Sequence, residues 1–235
     1  MIHTYLGETI QFEINYKKRT SVGILIDAYG NVEVQAPKGT SEEKAIQFIE
    51  RNWDQIQQKS KEMQERMLGP KERVYHHGET FLYLGKTYPI QISQDTTIKK
   101  DYVVFEEGIL CIVVKQLEDE KIKQALKRFY YQRCKSLIEK SIKKYQSDFK
   151  VKPRSIRITD SKANWGTCDS QMQLTFNWRL AMAPLEVIDY VVIHEMCHMV
   201  HLNHDRSFWR LVGKMSPNFK EQERWLALSS WKMTV

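Results

Sequence analysis

Four of the seven histidines in the 235-residue chain fall within one eleven-residue stretch, HEMCHMVHLNH, from His194 to His204, which also contains Glu195. At about 100° per residue, a helix puts His198 only ~40° round the axis from His194 and one turn along it, so both imidazoles leave the same face and can grip one ion. Glu195 lies on the flank of that face, badly placed to share the ion with His194 but able to reach water beside it. The pattern is H-E-x-x-H, in which a metal acidifies a water molecule and the glutamate takes its proton as general base. A lone histidine on an apolar helix is more often a core residue than a ligand. Two at this spacing around a glutamate reverse that reading, because a buried carboxylate without a cation is costly. Met196, Cys197 and Met199 read as packing.

A third ligand has two local candidates. His201 returns to within ~20° of His194 on the wheel but lies two turns away, which stretches a three-point grip from one straight helix. His204 follows Leu202-Asn203, where asparagine can end the helix in a left-handed turn and bring the chain back. We favour His204 and assign His201 to the surroundings of the metal or to the substrate side. Three imidazoles leave a fourth position open for water, whereas a purely structural zinc would close it with protein. Cys168 is the rival for that position. If its thiolate filled it, the protein would be a zinc-stapled binding module instead of an enzyme.

The elements that must position these residues follow from the patterning. Pro184 and Glu186 start a helix expected through LEVIDYVVIHEMCHMVHL, proline tolerating the first turn and the carboxylate meeting the positive end of the dipole. Before it, SIRIT, NWGTC and MQLTF read as three short strands, the last two joined through Asp169-Ser170-Gln171. From Leu117 to Phe149, Ile122, Leu126, Phe129, Leu137, Ile138, Ile142, Tyr145 and Phe149 make a helical stripe with lysines and arginines between them. Upstream the signal is β: Ile10, Phe12, Ile14 and Tyr16 alternate, VGILI and VEVQA flank a turn at Tyr29-Gly30-Asn31, and the set reads as a half-buried antiparallel sheet. Thr40 and Glu43 then have capping-box spacing ahead of one long amphipathic helix, which Gly69-Pro70 stops. FLYLG/YPIQI and YVVF/ILCIVV form two more strand pairs. A change to lysine-rich helix near Lys115 suggests a soft boundary between residues 1–115 and 116–235. No internal repeat or low-complexity tract stands out.

Composition limits the class. With 42% hydrophobic residues the chain can bury a sizeable core. The first residues lack the charged-then-apolar pattern of a signal peptide, and no segment approaches the roughly 18 apolar residues of a membrane span, so a soluble, cytoplasmic protein is expected. The four cysteines, Cys111, Cys134, Cys168 and Cys197, are scattered without a CxxC pair, which argues against a disulfide framework and an all-cysteine zinc knuckle. A net charge of +7 would suit an acidic partner. The basic residues of the Leu117–Phe149 segment, Lys127, Arg128 and Lys135 among them, read either as a solvated face or as a ridge for nucleic acid.

The segments NWGTC, LTFNWRLAMAP and VIDYVVIHEMCHMVHLNHDRSFW together resemble the YgjP-like metallopeptidase family and, more distantly, the SprT and WLM metalloproteases. Together with this patterning, the resemblance implies an α+β chain with a β-rich N-terminal part and a compact zincin-like catalytic half that has a small antiparallel sheet and an HExxH helix. It implies one zinc ion on His194, His198 and His204, with Glu195 catalytic. It also places the WGTC segment as a strand beside the cleft, whose free edge could receive an extended peptide or protein substrate; Asn164, Trp165, Gly166 and Thr167 are then substrate-side candidates. Asp205 could orient a ligand imidazole from behind. The spacing HExxHxxxxxH is also that of metzincins, but His201 stands where those have a turn glycine, so their methionine turn is not carried over to Met215. The resulting expectation is a zinc metallopeptidase acting on peptide bonds. The alternatives are a nucleic-acid-associated protease acting on DNA-bound proteins and a non-catalytic zinc module.

Overall fold

Alternating apolar side chains build the first sheet of the computed structural model, which describes residues 1–26, 31–67, 75–161 and 163–235. β1 (Ile2–Tyr5), β2 (Glu8–Lys17), β3 (Gly23–Ile26) and β4 (Val32–Pro37) lie in the order β1-β2-β4-β3. β2 and β4 run parallel, so the sheet is mixed and not wholly antiparallel as expected: β3 crosses back to the far side of β4 and leaves β4 beside β2 in the same direction. Ile10, Phe12, Val32 and Val34 cluster with Ala45, Ile49, Trp53 and Ile56 of α1 (Glu42–Arg51) and α2 (Trp53–Met67).

Two local expectations are corrected here. The N-cap is Ser41, accepting from Lys44 N at 3.4 Å, while Thr40 donates its hydroxyl to the Pro37 carbonyl. The single long helix is broken at Asn52, whose side-chain amide takes the Phe48 carbonyl at 2.8 Å and competes with the helical ladder. The turn expected at Tyr29-Gly30 and the helix stop at Gly69-Pro70 lie outside the described residues.

By contact the chain divides into two units, Met1–Lys71 and Glu72–Val235. The second opens with β5 (Thr80–Tyr83), β6 (Lys86–Gln94), β7 (Tyr102–Glu106) and β8 (Ile109–Val114), followed by the 27-residue α3 (Asp119–Tyr145). The compositional change near Lys115 falls inside this unit, between β8 and α3. The two elements share one core, in which Phe81, Ile90, Leu110 and Ile112 join Leu126, Phe129 and Tyr130.

The second unit begins by repeating the first. Its sheet has the order β5-β6-β8-β7, and a shift of 78 residues carries the pair Ile2↔Gln11 onto Thr80↔Pro89 and Phe12↔Val32 onto Ile90↔Leu110. The hairpin tips match as well, Leu6-Gly7 (φ 52° and 83°) against Leu84-Gly85 (φ 49° and 80°), each at positive φ as a tight hairpin turn requires. In both units a helix follows the fourth strand. The chain therefore contains a ββββα module twice, contrary to the sequence reading. Tyr-Leu-Gly-x-Thr, at Tyr5–Thr9 and Tyr83–Thr87, is its trace in the sequence.

Onto the second module are built β9 (Ser155–Thr159), β10 (Gly166–Cys168) and β11 (Gln173–Asn177), a sheet in the order β10-β11-β9 with β10 at an edge. It is mixed and not antiparallel as expected, because the chain crosses over from β9 to β10 before the hairpin and leaves β11 parallel to β9. A 3-10 turn (Trp178–Met182) leads to α4 (Leu185–His198), then α5 (Arg206–Met215) and α6 (Phe219–Ser229). The Leu84-Gly85 tip seats the start of α4. Its amides donate to the carbonyls of Ala181 and Met182 at 3.0 and 2.9 Å, and Pro184 packs so close that a Cβ on Gly85 would meet its Cγ at 2.6 Å. From the other side α3 grips α4 through Asp189, which accepts from Ser141 Oγ at 2.6 Å, Lys144 Nζ at 2.7 Å and Tyr145 Oη at 3.0 Å. No helix among the described residues is long and apolar enough to cross a membrane.

Candidate metal centre

The histidine face of α4 forms because almost every other residue of the helix is buried. Val187, Ile188, Val191, Val192, Met196 and Cys197 fill the core, leaving His194 and His198 to look out on one side. The helix ends at His198, earlier than expected. Val200 and Leu202 beyond it are 50% and 74% exposed, so no core rewards another turn, and the His201 carbonyl instead accepts from His198 Nδ1 at 3.1 Å. The chain then loops back and delivers His204.

Three ring nitrogens converge. His204 Nε2 lies 3.0 Å from His194 Nε2 and 3.1 Å from His198 Nε2. These separations are close to the ~3.3 Å expected between two ligands on one tetrahedral zinc with bonds of about 2.0–2.1 Å. The three histidines form the one cluster of His, Cys, Asp or Glu among the described residues that could hold a metal ion. A backbone carbonyl can only accept, so His198 carries its proton on Nδ1 and turns the lone pair of Nε2 toward the cluster. Burial first, and then the neighbouring His198 and His204, push the His194 pKa down to about 4, which keeps its imidazole neutral and able to ligate.

Beneath the cluster sits Phe208, fully buried, with its ring centroid 4.9 Å from that of His194, 4.4 Å from His198 and 4.8 Å from His204. Trp209 stacks against His204 at 5.7 Å. Both come from the first turn of α5, which Asp205 caps by accepting from Phe208 N at 2.8 Å and from Ser207 Oγ at 2.6 Å. Asp205 thus reaches the three histidines through Phe208. His201 faces Ser207, its Nδ1 3.2 Å from the hydroxyl.

Glu195 is 5% exposed, and burial alone raises its pKa to about 8. No basic side chain among the described residues compensates it, so a cation held by the adjacent imidazoles fits the missing charge. β10 crosses directly over this carboxylate. A Cβ on Gly166 would meet Glu195 Cγ and Oε1 at 2.6 Å and Cδ at 2.9 Å, so the strand approaches this near only because residue 166 has no side chain. Asn177, almost buried, fixes the approach to the strand: its backbone N–H donates to the Trp165 carbonyl at 2.9 Å and its side-chain amide to the Ser161 carbonyl at 2.7 Å. Of the substrate-side candidates, Asn164 and Thr167 are exposed and Gly166 half-buried, while Trp165 packs partly into the core.

Cys168 does not join the converging nitrogens; its thiol faces the Asp169 carbonyl at 3.6 Å. The three basic residues singled out on α3 are occupied within the chain. Lys127 pairs with Asp160 at 2.6 Å, Arg128 donates to the Asp101 carbonyl at 3.0 Å, and Lys135 lies 4.0 Å from Glu139. Sequence reasoning missed Phe208, Trp209 and Tyr190. The first two lie in the DRSFW segment just past His204, and the third is four residues before His194 on the same helical face.

No curated protein and no solved structure matches the chain significantly. A family model described as the YgjP-like metallopeptidase domain does match, over residues 20–229 and so across both units. That match spans most of the sequence and includes the histidine triad and the buried glutamate, and the chain belongs to the YgjP-like metallopeptidase family.

Proposed function

We propose that this metallopeptidase is zinc-dependent, with His194, His198 and His204 holding the ion and Glu195 acting as general base. The observation that carries this reading is the meeting of three Nε2 atoms at one point next to an uncompensated, buried carboxylate. Zinc, when bound, supplies the Lewis acidity that polarises a peptide carbonyl and acidifies water. Glu195 takes a proton from the attacking water as its oxygen adds to the carbonyl carbon. It then passes that proton to the amide nitrogen as the C–N bond breaks. Burial suits Glu195 to both halves of this transfer, since a carboxylate raised toward neutrality gives up a proton less readily to bulk water.

The substrate side of the reading rests on β10. Among the described residues the strand pairs with β11 alone, and Gly166–Cys168 turns one face toward Glu195, so an extended peptide added at its other edge would run beside the base. Asn164 and Thr167 then face substrate, and Gly166 keeps the backbone close to the base. The test compares cleavage of an unfolded-protein substrate by wild type and Glu195→Gln, with zinc measured in the same samples. Equal zinc with cleavage lost only in the variant supports the reading; equal cleavage by both refutes the general base.

A further inference from the structure

His194 has something behind it as well as in front. Tyr190 precedes it by one helical turn on α4, and the tyrosine Oη lies 3.4 Å from His194 Nδ1 and 3.1 Å from Glu223 Oε1 of α6. The order of protons along this chain is fixed by chemistry. A glutamate carboxylate can only accept, so the phenol donates to Glu223, and the phenol oxygen is left to accept from the Nδ1–H of His194. The phenol ring is held in place by stacking on Phe219, and Lys220 braces the far oxygen of Glu223 at 3.1 Å.

Resting on the zinc assignment above, we propose that Tyr190 and Glu223 form a relay that fixes the tautomer and rotation of His194 and raises the basicity of its metal-facing nitrogen, making both positioning residues for the ion. Ligand histidines are usually oriented by a carboxylate or carbonyl on the other ring nitrogen. His198 has the direct form of that arrangement in the His201 carbonyl, and His194 has it extended by one phenol. The relay also ties α6, distant in sequence, to the metal helix. Neither Tyr190 nor Glu223 touches substrate in this scheme.

The experiment measures zinc affinity of the full-length chain by chelator competition in wild type, His194→Ala, Tyr190→Phe, Glu223→Ala and Glu223→Gln. The protonated nitrogen of His194 is read in parallel from imidazole ¹⁵N shifts in the metal-free protein. We expect Tyr190→Phe and Glu223→Ala each to weaken zinc binding by about tenfold or more. Combining them should cost no more than Tyr190→Phe alone, since they are links of one chain. Glu223→Gln, which keeps an acceptor, should recover part of the loss, and Tyr190→Phe should shift His194 from a pure Nδ1–H form to a mixture. Unchanged affinity and tautomer in Tyr190→Phe would overturn the relay, as would additive losses. If wild type and His194→Ala bind zinc equally, it is the metal assignment that fails; the tautomer measurement then still decides whether Tyr190 orients His194.

Discussion

Replacing Gly166 with alanine tests the close approach of β10 to Glu195, on which the proposed general base depends. The added Cβ would stand 2.6 Å from both Cγ and Oε1 of Glu195. Relieving that overlap to an ordinary carbon contact needs a displacement of about 1 Å. The glutamate is buried and the strand is held through β11 and Asn177, so neither partner moves freely. A misplacement of that size in a catalytic group costs on the order of 10²-fold in rate. Overpacking should also remove about 1–3 kcal/mol of stability, which for a chain of this size is about 2–4 °C in Tm per kcal/mol. The assay measures kcat/KM on an unfolded-protein substrate, Tm by differential scanning fluorimetry and bound zinc by elemental analysis. Zinc should be retained while activity collapses. The geometry further requires that Gly166→Ala be harmless to Tm in a Glu195→Ala background, where the overlapping atoms are gone. Wild-type activity in Gly166→Ala, or an equal loss of Tm with and without the Glu195 side chain, would refute the contact.

Phe208→Ala removes the ring against which all three histidines pack. It should cost about 3–5 kcal/mol in a chemical denaturation curve and weaken zinc retention on dialysis. Asp205→Ala, which uncaps α5, should lower Tm and lower zinc affinity only slightly, as read by chelator competition. Asp160 supplies a pH prediction. Burial acts to raise its pKa, but hydrogen bonds from Lys127, Trp178 and Arg179 prevail and hold it below the ordinary carboxylate range. The unfolded state therefore takes up a proton first as pH falls, so this contribution is complete above about pH 4 and is lost progressively below it. A Tm-versus-pH series should show Asp160→Asn flatter than wild type on the acid side. His204→Ala should release zinc while leaving far-UV circular dichroism unchanged, since His204 is exposed and lies between α4 and α5.

The meeting of the three histidines was more legible in the sequence than the frame that brings them together. The convergence of His194 and His198 could be anticipated because side chains one helical turn apart share a face, and that of His204 because Asn203 marks a break in the chain. Where α4 stops was not legible: that depends on whether a core awaits Val200 and Leu202, a tertiary matter. Gly166 could be placed on a strand near the cleft, but not opposite Glu195, since strand–helix approach leaves no periodicity. Glu223 lies 29 residues beyond His194 with no motif of its own. The break at Asn52 was hidden because Ile49, Trp53 and Ile56 continue the helical spacing across it. The repeat is faint because identity at the 78-residue offset is sparse: apart from Tyr-Leu-Gly-x-Thr it is confined to isolated positions such as Ile14 and Ile92 or Gly30 and Gly108, while strand positions such as Phe12 and Ile90 or Val32 and Leu110 keep only their apolar character.

That repetition gives the molecule an internal control. The same four-stranded frame occurs once with its hairpin tip bare, nothing among the described residues lying within 4 Å of a Cβ placed on Gly7, and once with the tip pressed against Pro184. In the bare copy the following helix snaps at Asn52. In the other it runs unbroken for 27 residues, and its distal half presents Ser141, Lys144 and Tyr145 to the metal helix. What a plain module needed in order to carry a hydrolytic centre can therefore be found by subtraction within one polypeptide: a helix stiff enough to act as a splint, and a turn that became a socket.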